Sequence, residues 1–169
     1  MEEELFRTER LVVRKLSDAD ADAMHAVYGD PATMEPLGDS ETLSRANCAE
    51  WVEVTLRNYE RYGYGMSAVC LPDGDVVGFC GIVHPGGQAE PELKYALRSD
   101  QWGAGIGTEV AKAMLDYGAR AFGMNRIIAT IAPTNQRSRK VLVKIGMRYV
   151  ERRLDDDGEA DVYEWLRDA

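Results

Sequence analysis

Three alternating glycines, Gly103, Gly105 and Gly107, stand between an apolar, strand-like run at 93–97 and the start of an amphipathic helix. Glycines let the backbone approach a ligand closely, and several consecutive amide N–H groups of such a turn can point at phosphate oxygens. The helix N-terminus adds about half a positive charge. The spacing therefore predicts a site for a pyrophosphate, and hence for a phosphorylated cofactor.

Two other phosphate-binding loops contain similar glycines, and neither matches this stretch. A P-loop has Lys-Ser/Thr directly after its last glycine, whereas Thr108 and Glu109 follow Gly107 here. A dinucleotide fingerprint requires an acidic residue about 20 positions after the glycines, where this chain reads IIATI at 127–131. The remaining alternative is a glycine-rich connection between a strand and a helix that binds nothing.

Hydrophobic periodicity and turn residues divide the chain into strands and helices. A helix is expected after the cap at Ser17, a second at 43–62, a third at 106–122, and a fourth from Thr134 or Asn135 to Ile145. The third helix is expected to bury Val110, Met114, Tyr117 and Ala121. Seven strands are expected, at residues 11–16, 66–71, 76–83, 92–97, 126–131, 147–153 and 161–166. This order predicts a mixed α/β sheet covered by helices.

Length and charge restrict the function classes. The 169 residues are expected to form one domain, residues 1–169. The net charge of -9, from 20 Lys and Arg against 29 Asp and Glu, argues against nucleic acid as a partner. No apolar run approaches the ~18 residues that a membrane span needs, and the N-terminus is acidic where a signal peptide is basic. We therefore expect a cytoplasmic protein without a membrane segment.

No metal site is expected from the sequence. Cys48, Cys70 and Cys80 are odd in number and lack the spacing of metal ligands, so they are interpreted as reduced, packed thiols. The acidic triplet at 155–157 is interpreted as a solvated hairpin turn, because adjacent carboxylates in a hairpin cannot all face one ion.

Four ordered motifs, taken together, resemble the GNAT acetyltransferase superfamily: LKYAL at 93–97, WGAGIGTE at 102–109, PTNQRS at 133–138 and KIGMRY at 144–149. The segment TERLVVR at 8–14 is similar to the start of the branch that contains the ribosomal-protein acetyltransferases RimJ and RimL. The resemblance implies a mostly antiparallel seven-stranded sheet with helices on both faces and a splayed central pair of parallel strands. It also allows a homodimer.

The resemblance further implies that acetyl-coenzyme A lies between the splayed strands and that a primary amine attacks its thioester directly, without an acyl-enzyme. The amine would belong to a protein N-terminus or a small molecule. Backbone groups of Ala96 and Leu97 would pair with the pantetheine arm. Asn135 would contact that arm, cap its own helix, or do both. The pyrophosphate would be held at Trp102, Gly103, Ala104, Gly105, Ile106, Gly107 and Thr108. Because Trp102 replaces the family's glutamine or arginine, no guanidinium contact is expected at that position.

Two residues are predicted to carry the chemistry. Glu92 matches the glutamate of the family's E-[LI]-G-Y segment and would take the amine proton through water, or else be a surface carboxylate. Lys94 stands where that segment commonly has glycine. Ser138 is the hydroxyl on the helix turn where many relatives have a tyrosine, and would donate a proton to the thiolate, or else be a second cap.

The acceptor side is expected to be formed by loops at 31–40 and 84–89 and by aromatic residues of the second helix and its surroundings, Trp51, Tyr62 and Tyr64. The two histidines, His25 and His84, are interpreted mainly as packed or exposed side chains. An alternative function is a non-catalytic sensor or scaffold that binds acyl-coenzyme A.

Overall fold

The computed structural model describes residues 3–37, 42–155 and 158–168. Eight strands form one sheet in the order β1-β2-β3-β4-β5-β6-β8-β7. All neighbouring strands are antiparallel except β5 and β6, which are parallel. The strands are β1 (Glu4–Arg7), β2 (Val12–Lys15), β3 (Met66–Cys70), β4 (Val76–Val83), β5 (Glu92–Leu97), β6 (Arg126–Ile131), β7 (Arg148–Asp155) and β8 (Gly158–Leu166).

Of the five α-helices in the described residues, four cover the sheet on its two faces. One core cluster joins the sheet to α4 and α5 through residues such as Val110, Met114 and Leu142. The other joins it to α1 and α3 through residues such as Val27 and Val52. The helices are α1 (Ala21–Tyr28), α2 (Pro31–Met34), α3 (Arg45–Tyr62), α4 (Ile106–Phe122) and α5 (Gln136–Lys144). The expected mixed sheet with helices on both faces is therefore confirmed.

The sheet has eight strands, so the expected number of seven is wrong by one. The additional strand is β1, which pairs with β2 at the edge of the sheet. Its sequence, ELFR, is too short and too polar to show the alternation that marks a half-buried strand. Backbone pairing with β2 stabilises it, together with the packing of Leu5 and Phe6 against the core.

The buried face of α4 also differs from the expected stripe. Val110 and Met114 are buried, but Ala121 is exposed, and the inner face instead continues through Gly118 and Ala119. A Cβ atom added at Gly118 would lie 2.6 Å from the Cδ1 atom of Ile82. Glycine carries no hydrophobic signal in a periodicity analysis, yet here it lets the helix approach the sheet closely.

Local capping explains where several helices begin. The Ser17 side chain accepts a hydrogen bond from the Ala19 amide, and Asp20 completes the capping box. Ser44 forms a second capping box with Asn47, so α3 begins at Arg45 rather than near residue 43. Asn135 is the N-cap of α5, with its side chain accepting from the Ser138 amide.

The parallel strands β5 and β6 meet at one end and separate at the other. Glu92 and Ile128 are their only paired positions in the part of the chain that the structure describes. There the Ile128 amide donates to the Pro91 carbonyl at 2.9 Å. Beyond this point β6 pairs only with β8, so the C-terminal half of β5 has an open edge. The expected splay of the parallel pair is therefore present.

Within the described residues, no helix combines the length and the apolar character needed to cross a membrane. The same residues contain no group of three or more His, Cys, Asp or Glu side chains arranged to hold a metal ion. Cys48, Cys70 and Cys80 are all buried and form no disulfide. Burial raises the pKa of each thiol, so none of them is a ready nucleophile. The acidic turn expected at 155–157 lies largely outside the described residues.

Candidate active site

A cleft of about 440 Å³ opens where β5 and β6 separate. The glycine loop and the first turn of α4 form one wall, α5 forms a second, and Thr33 and Pro36 approach from the region of α2. Of the residues expected to bind the cofactor, all except Ala104 line the cleft: Ala96, Leu97, Trp102, Gly103, Gly105, Ile106, Gly107, Thr108, Asn135 and Ser138. The fold therefore gathers these sequence positions at a single site.

The amides of residues 103 to 108 have no acceptor among the described residues. The first bond of the helix runs from the Glu109 amide to the Gly105 carbonyl at 3.1 Å. Gly105 has a φ of 79°, in the left-handed region that only glycine enters readily, and the chain turns there into α4. Unused N–H groups at a helix N-terminus are suited to bind an anion.

A row of cations on α5 faces the same cleft. Arg137, Lys140 and Lys144 are exposed, lie on one helix face and line the cleft, whereas no aspartate or glutamate lines it among the described residues. These three side chains form no ion pair within the described part of the chain, although most arginines of this acidic protein are paired. The Arg137 guanidinium lies 3.9 Å from the centroid of the Trp102 ring. The cleft therefore carries local positive charge in a protein of net charge -9.

The segment TERLVVR supports the glycine loop from behind. The Glu109 carboxylate accepts hydrogen bonds from the Thr8 hydroxyl, from the Arg10 amide at 3.0 Å and from Arg10 Nε at 2.7 Å. Arg10 Nη1 also donates to the Ala104 carbonyl at 2.7 Å. Ala104 thus faces away from the cleft and holds the loop in place. The sequence pattern indicated that this segment belongs to the fold, but nothing in it pointed to contact with the loop.

Backbone alternation decides which groups of β5 are open to the cleft. The Arg98 amide donates to the Val77 carbonyl on β4 at 2.8 Å, and Ala96 is paired with Phe79 two positions earlier. The backbone N–H and C=O groups of an antiparallel strand point to the same side at every second residue. Because the Arg98 amide points to β4, the backbone groups of Ala96 point to β4 as well. The groups of Tyr95 and the N–H of Leu97 face the open edge, while the Leu97 carbonyl accepts from Trp102 Nε1 at 3.1 Å.

Two hydroxyl groups meet inside the cleft. Tyr95 donates to Ser138 Oγ at 3.3 Å, and both residues line the cleft. Burial raises the pKa of Tyr95 to about 12, opposed in part by the hydrogen bond with Ser138, so the phenol keeps its proton at neutral pH. The sequence reasoning noted the absence of a tyrosine on α5 and missed Tyr95, which supplies a phenol from β5 instead.

Glu92 occupies a different place from Ser138. It is buried, accepts from Thr130 Oγ1 at 2.9 Å and from Gln88 Nε2 at 3.2 Å, and forms an ion pair with Lys94 at 3.3 Å. It does not line the cleft. Its side chain lies on the same face of β5 as that of Ala96, but four residues earlier along the strand, or about 13 Å away. The structure thus places Glu92 beside the paired end of β5 and β6.

The aromatic residues expected on the acceptor side pack mainly against one another. His84 Nε2 lies 2.6 Å from the Tyr64 hydroxyl, its Nδ1 lies 3.0 Å from the Gln88 carbonyl, and Tyr62 stacks on its ring at 4.5 Å. Trp51 is half exposed on α3. None of these side chains, nor His25, lines the cleft. In the loop expected at 31–40, Thr33 and Pro36 line it, and residues 38–40 lie outside the described residues.

Comparisons with known proteins agree with this geometry. Residues 10–148 match the family model described as an acetyltransferase (GNAT) domain. The protein YkkB of Bacillus subtilis is 34% identical over 148 residues, which cover 84% of each protein. The uncharacterized N-acetyltransferase p20 of Bacillus licheniformis is 28% identical over 143 residues, covering 82% of this chain and 79% of that protein.

Among solved structures, the ribosomal L7/L12 alpha-N-protein acetyltransferase RimL in complex with coenzyme A has a TM-score of 0.80, at 15% identity, covering 97% of this chain and 98% of that chain. This likeness is one of fold. The family match includes every residue that lines the cleft. Free amides at a helix N-terminus, a row of unpaired cations and an open strand edge fit a phosphorylated acyl donor. The chain belongs to the GNAT acetyltransferase family and is an acetyl-coenzyme A-dependent N-acetyltransferase.

Proposed function

We propose that the protein acetylates a primary amine, at a protein N-terminus or on a small molecule, by direct attack on acetyl-coenzyme A bound in the cleft at the splay. The observation that carries this proposal is the set of unused amides at residue 103 and residues 105 to 108, which lie beside the open edge of β5 in one cleft. The proposed unit is a single cytoplasmic domain, residues 1–169, of the RimJ/RimL-like type. A homodimer of this domain is compatible with the proposal.

In this proposal the glycine loop binds the diphosphate. The amides of Gly103, Gly105, Ile106, Gly107 and Thr108, which line the cleft, supply hydrogen bonds, and α4 adds its N-terminal partial charge. Trp102 holds Arg137 against this region, so a guanidinium reaches the loop from α5 although none is present at position 102. Asn135 keeps its observed role as a cap and adds a contact to the pantetheine arm, since it also lines the cleft.

The open edge of β5 orients the donor. Tyr95 and Leu97 offer backbone groups to the pantetheine amides, and one N–H of this edge is the donor that we propose polarises the thioester carbonyl. The side chain of Ala96 lines the cleft while its backbone stays in the sheet. The bound thioester supplies an activated acetyl group. The residues of the chain hold it in position. Orientation of two reactants can lower the activation barrier by ~7–11 kcal/mol.

We propose that Glu92 receives the amine proton through water. The environment of Glu92 supports this proposal. Glu92 is buried on the sheet face opposite Ser138, and its ion-pair partner Lys94 is half exposed, which connects the carboxylate to solvent. Its distance from the cleft excludes direct contact with the reacting amine, so water must connect the two. The acceptor amine loses its proton to this path after it has bound, and it then attacks in its neutral form.

Ser138 and Tyr95 are proposed to stabilise the departing thiolate. A phenol with a pKa of about 12 does not give its proton fully to an ordinary thiolate, because a thiol pKa near 8.5 makes that transfer uphill by roughly 5 kcal/mol. Hydrogen bonding is the more effective role: Tyr95 donates to Ser138, and Ser138 donates to the sulfur. The thiolate then takes its final proton from solvent.

The proposed function is tested by two measurements on the purified protein. Calorimetry measures the Kd of acetyl-coenzyme A, and a thiol reagent follows release of coenzyme A during incubation with primary amines. We expect binding without an amine and thiol release only when an amine is present. A protein that binds the donor but releases no thiol with any amine would be the non-catalytic sensor, and a protein that does not bind it would contradict the site altogether.

Removal of the cleft hydroxyls is expected to slow the reaction without loss of donor binding. Ser138→Ala and Tyr95→Phe should each lower kcat by about 10-fold, because each removes one hydrogen bond that strengthens as charge develops on sulfur. The Kd of acetyl-coenzyme A should change by less than about twofold. Thr134→Ala, which removes an exposed hydroxyl outside the cleft, is the matched control.

Loss of the Glu92 charge is expected to change the pH profile of the reaction. Glu92→Gln should lower kcat by about 10- to 100-fold at neutral pH. The deficit should become smaller at high pH, where more of the amine is already deprotonated. A Glu92→Gln enzyme with a wild-type rate at every pH would show that the carboxylate holds Thr130, Gln88 and Lys94 in place and takes no proton.

A further inference from the structure

Thr33 has a buried hydroxyl without a partner at the cleft. The residue is 4% exposed and lines the cleft, and its Oγ1 atom makes no hydrogen bond among the described residues. Buried hydroxyls are nearly always paired in folded proteins, because an unpaired one has lost water and gained nothing. A hydroxyl that has no protein partner and lies at a cleft is free to pair with a bound ligand.

The backbone around Thr33 is well fixed. The Thr33 amide donates to the Asp30 carbonyl at 3.0 Å, and Asp30 Oδ1 caps α2 by accepting from the Ala32 amide. Ser99 Oγ donates to Asp30 Oδ2 at 2.7 Å, which ties α2 to the turn that leads into the glycine loop. Rotation about χ1 exchanges the positions of the threonine hydroxyl and methyl group, so the fixed backbone leaves the hydroxyl able to turn into the cleft.

Thr33 approaches the cleft from the sheet face opposite Ser138 and the cations of α5. Ser138 and the cations of α5 lie on the sheet face of α4 and α5, where Leu97 is also packed. Thr33 follows α1, which packs on the other face together with Ala96. The cleft therefore passes through the splay from one face to the other. A donor held on the first face leaves the second face open to the nucleophile.

We propose that the Thr33 hydroxyl accepts a hydrogen bond from the acceptor amine and so orients its lone pair towards the thioester. This inference rests on the proposed acetylation of an amine and assigns one residue to the acceptor site. A neutral primary amine has two N–H groups and one lone pair, so an acceptor that binds one N–H leaves the lone pair free to attack. No carboxylate lines the described cleft, which matches an amine that reacts in its neutral form.

The test compares Thr33→Val, which keeps the shape and removes the hydroxyl, with Thr33→Ser, which keeps the hydroxyl. The probes are spermidine, amino-acid amides and tripeptides with free N-termini, and the amine that the wild type acetylates fastest is used for kinetics. Thr33→Val should raise the KM for that amine by about 3- to 10-fold, the effect of one lost hydrogen bond. The Kd of acetyl-coenzyme A should stay within about twofold, and Thr33→Ser should retain most of the wild-type KM.

Thermal unfolding of the ligand-free protein provides a readout that needs no amine. Thr33→Val should leave Tm within about 2 °C of the wild type, because the hydroxyl has no partner within the described residues to lose. Thr55→Val is the matched control: Thr55 is also buried, but its hydroxyl donates to the Trp51 carbonyl at 2.9 Å, so its loss should lower Tm and leave the KM unchanged.

Three results would overturn the inference, and they are distinguishable from failure of the proposed function. A fall in Tm for Thr33→Val as large as that for Thr55→Val would show that the hydroxyl is satisfied within the protein. A weaker Kd for acetyl-coenzyme A with an unchanged amine KM would assign the hydroxyl to the donor. An unchanged KM together with an unchanged Kd would leave it without a ligand role. If the wild type acetylates none of the amines, the proposed function fails first and this inference falls with it.

Discussion

Reversing the charge of two lysines on the cleft face of α5, in the double variant Lys140→Glu and Lys144→Glu, should weaken acetyl-coenzyme A binding by about 30- to 150-fold at low ionic strength. Both side chains line the cleft and have no ion-pair partner among the described residues. Each reversal changes the local charge by two units. At about 8 Å in a wet cleft, two unit charges interact by roughly 0.5 kcal/mol, so a change of four charge units costs about 2 kcal/mol for one negative charge of the donor at that distance. The donor's more distant charges raise the sum to about 3 kcal/mol.

The control for this experiment is Lys112→Glu, which makes the same chemical change at an exposed, unpaired lysine of α4 that does not line the cleft. It should change the Kd by less than about twofold. The effect of the double variant should also decrease as salt is added, because exposed charges are screened over about 10 Å at 0.1 M. If Lys112→Glu weakened binding as much as the double variant, net charge rather than the row on α5 would be responsible.

Glu109→Gln should lower the free energy of unfolding by about 2 kcal/mol at pH 7, with a further about 3- to 10-fold loss of acetyl-coenzyme A affinity. The carboxylate accepts three hydrogen bonds, from Thr8 and from the Arg10 amide and Nε. A glutamine has one acceptor oxygen and directs its NH₂ group at donors, so the Arg10 guanidinium loses a charged partner. Because Arg10 also holds the Ala104 carbonyl, the glycine loop loses part of its support.

The stability difference should depend on pH. Burial raises the pKa of Glu109, but the hydrogen bonds from Thr8 and Arg10 outweigh it and leave the pKa below its ordinary value near 4.5. The unfolded chain therefore binds the proton more readily than the folded protein. The stabilisation is fully present above the unfolded pKa and is lost as the pH falls through the folded pKa. Denaturant unfolding of both proteins should show the curves converging below about pH 4.5.

Glu53→Gln is the matched control, because Glu53 is an exposed glutamate of α3 without an ion pair in the described structure. Its unfolding free energy should stay within about 0.5 kcal/mol of the wild type at every pH. A Glu109→Gln variant that kept wild-type stability at pH 7 would contradict the stabilising role of the hydrogen bonds that Glu109 accepts from Thr8 and Arg10. Normal stability with weakened donor binding would restrict the role of Glu109 to the conformation of the loop.

Local sequence was sufficient for the features that depend on backbone conformation and on one nearby cap. Helix α4 runs over the predicted residues, 106–122, because left-handed glycines precede and follow an amphipathic stretch. Asn135 begins α5 as one of the two caps considered. The glycines, Asn135 and Ser138 come together at one cleft because the strand order places the C-terminal end of β5 next to the N-terminal ends of α4 and α5.

Features that depend on a distant partner were not visible in the sequence. Strand β1 forms through pairing with β2, and Arg10 reaches Ala104 across 94 positions of the chain. Glu92 occurs in the matching segment, yet the register of β5 against β6 places it at the paired end of the two strands, and its side chain does not line the cleft. Periodicity and motifs report which way a side chain faces and what chemistry it carries. Which two side chains meet depends on strand register and helix packing over long sequence separations, and this is why Tyr95, Thr33 and the cations of α5 became candidates only once the chain was folded.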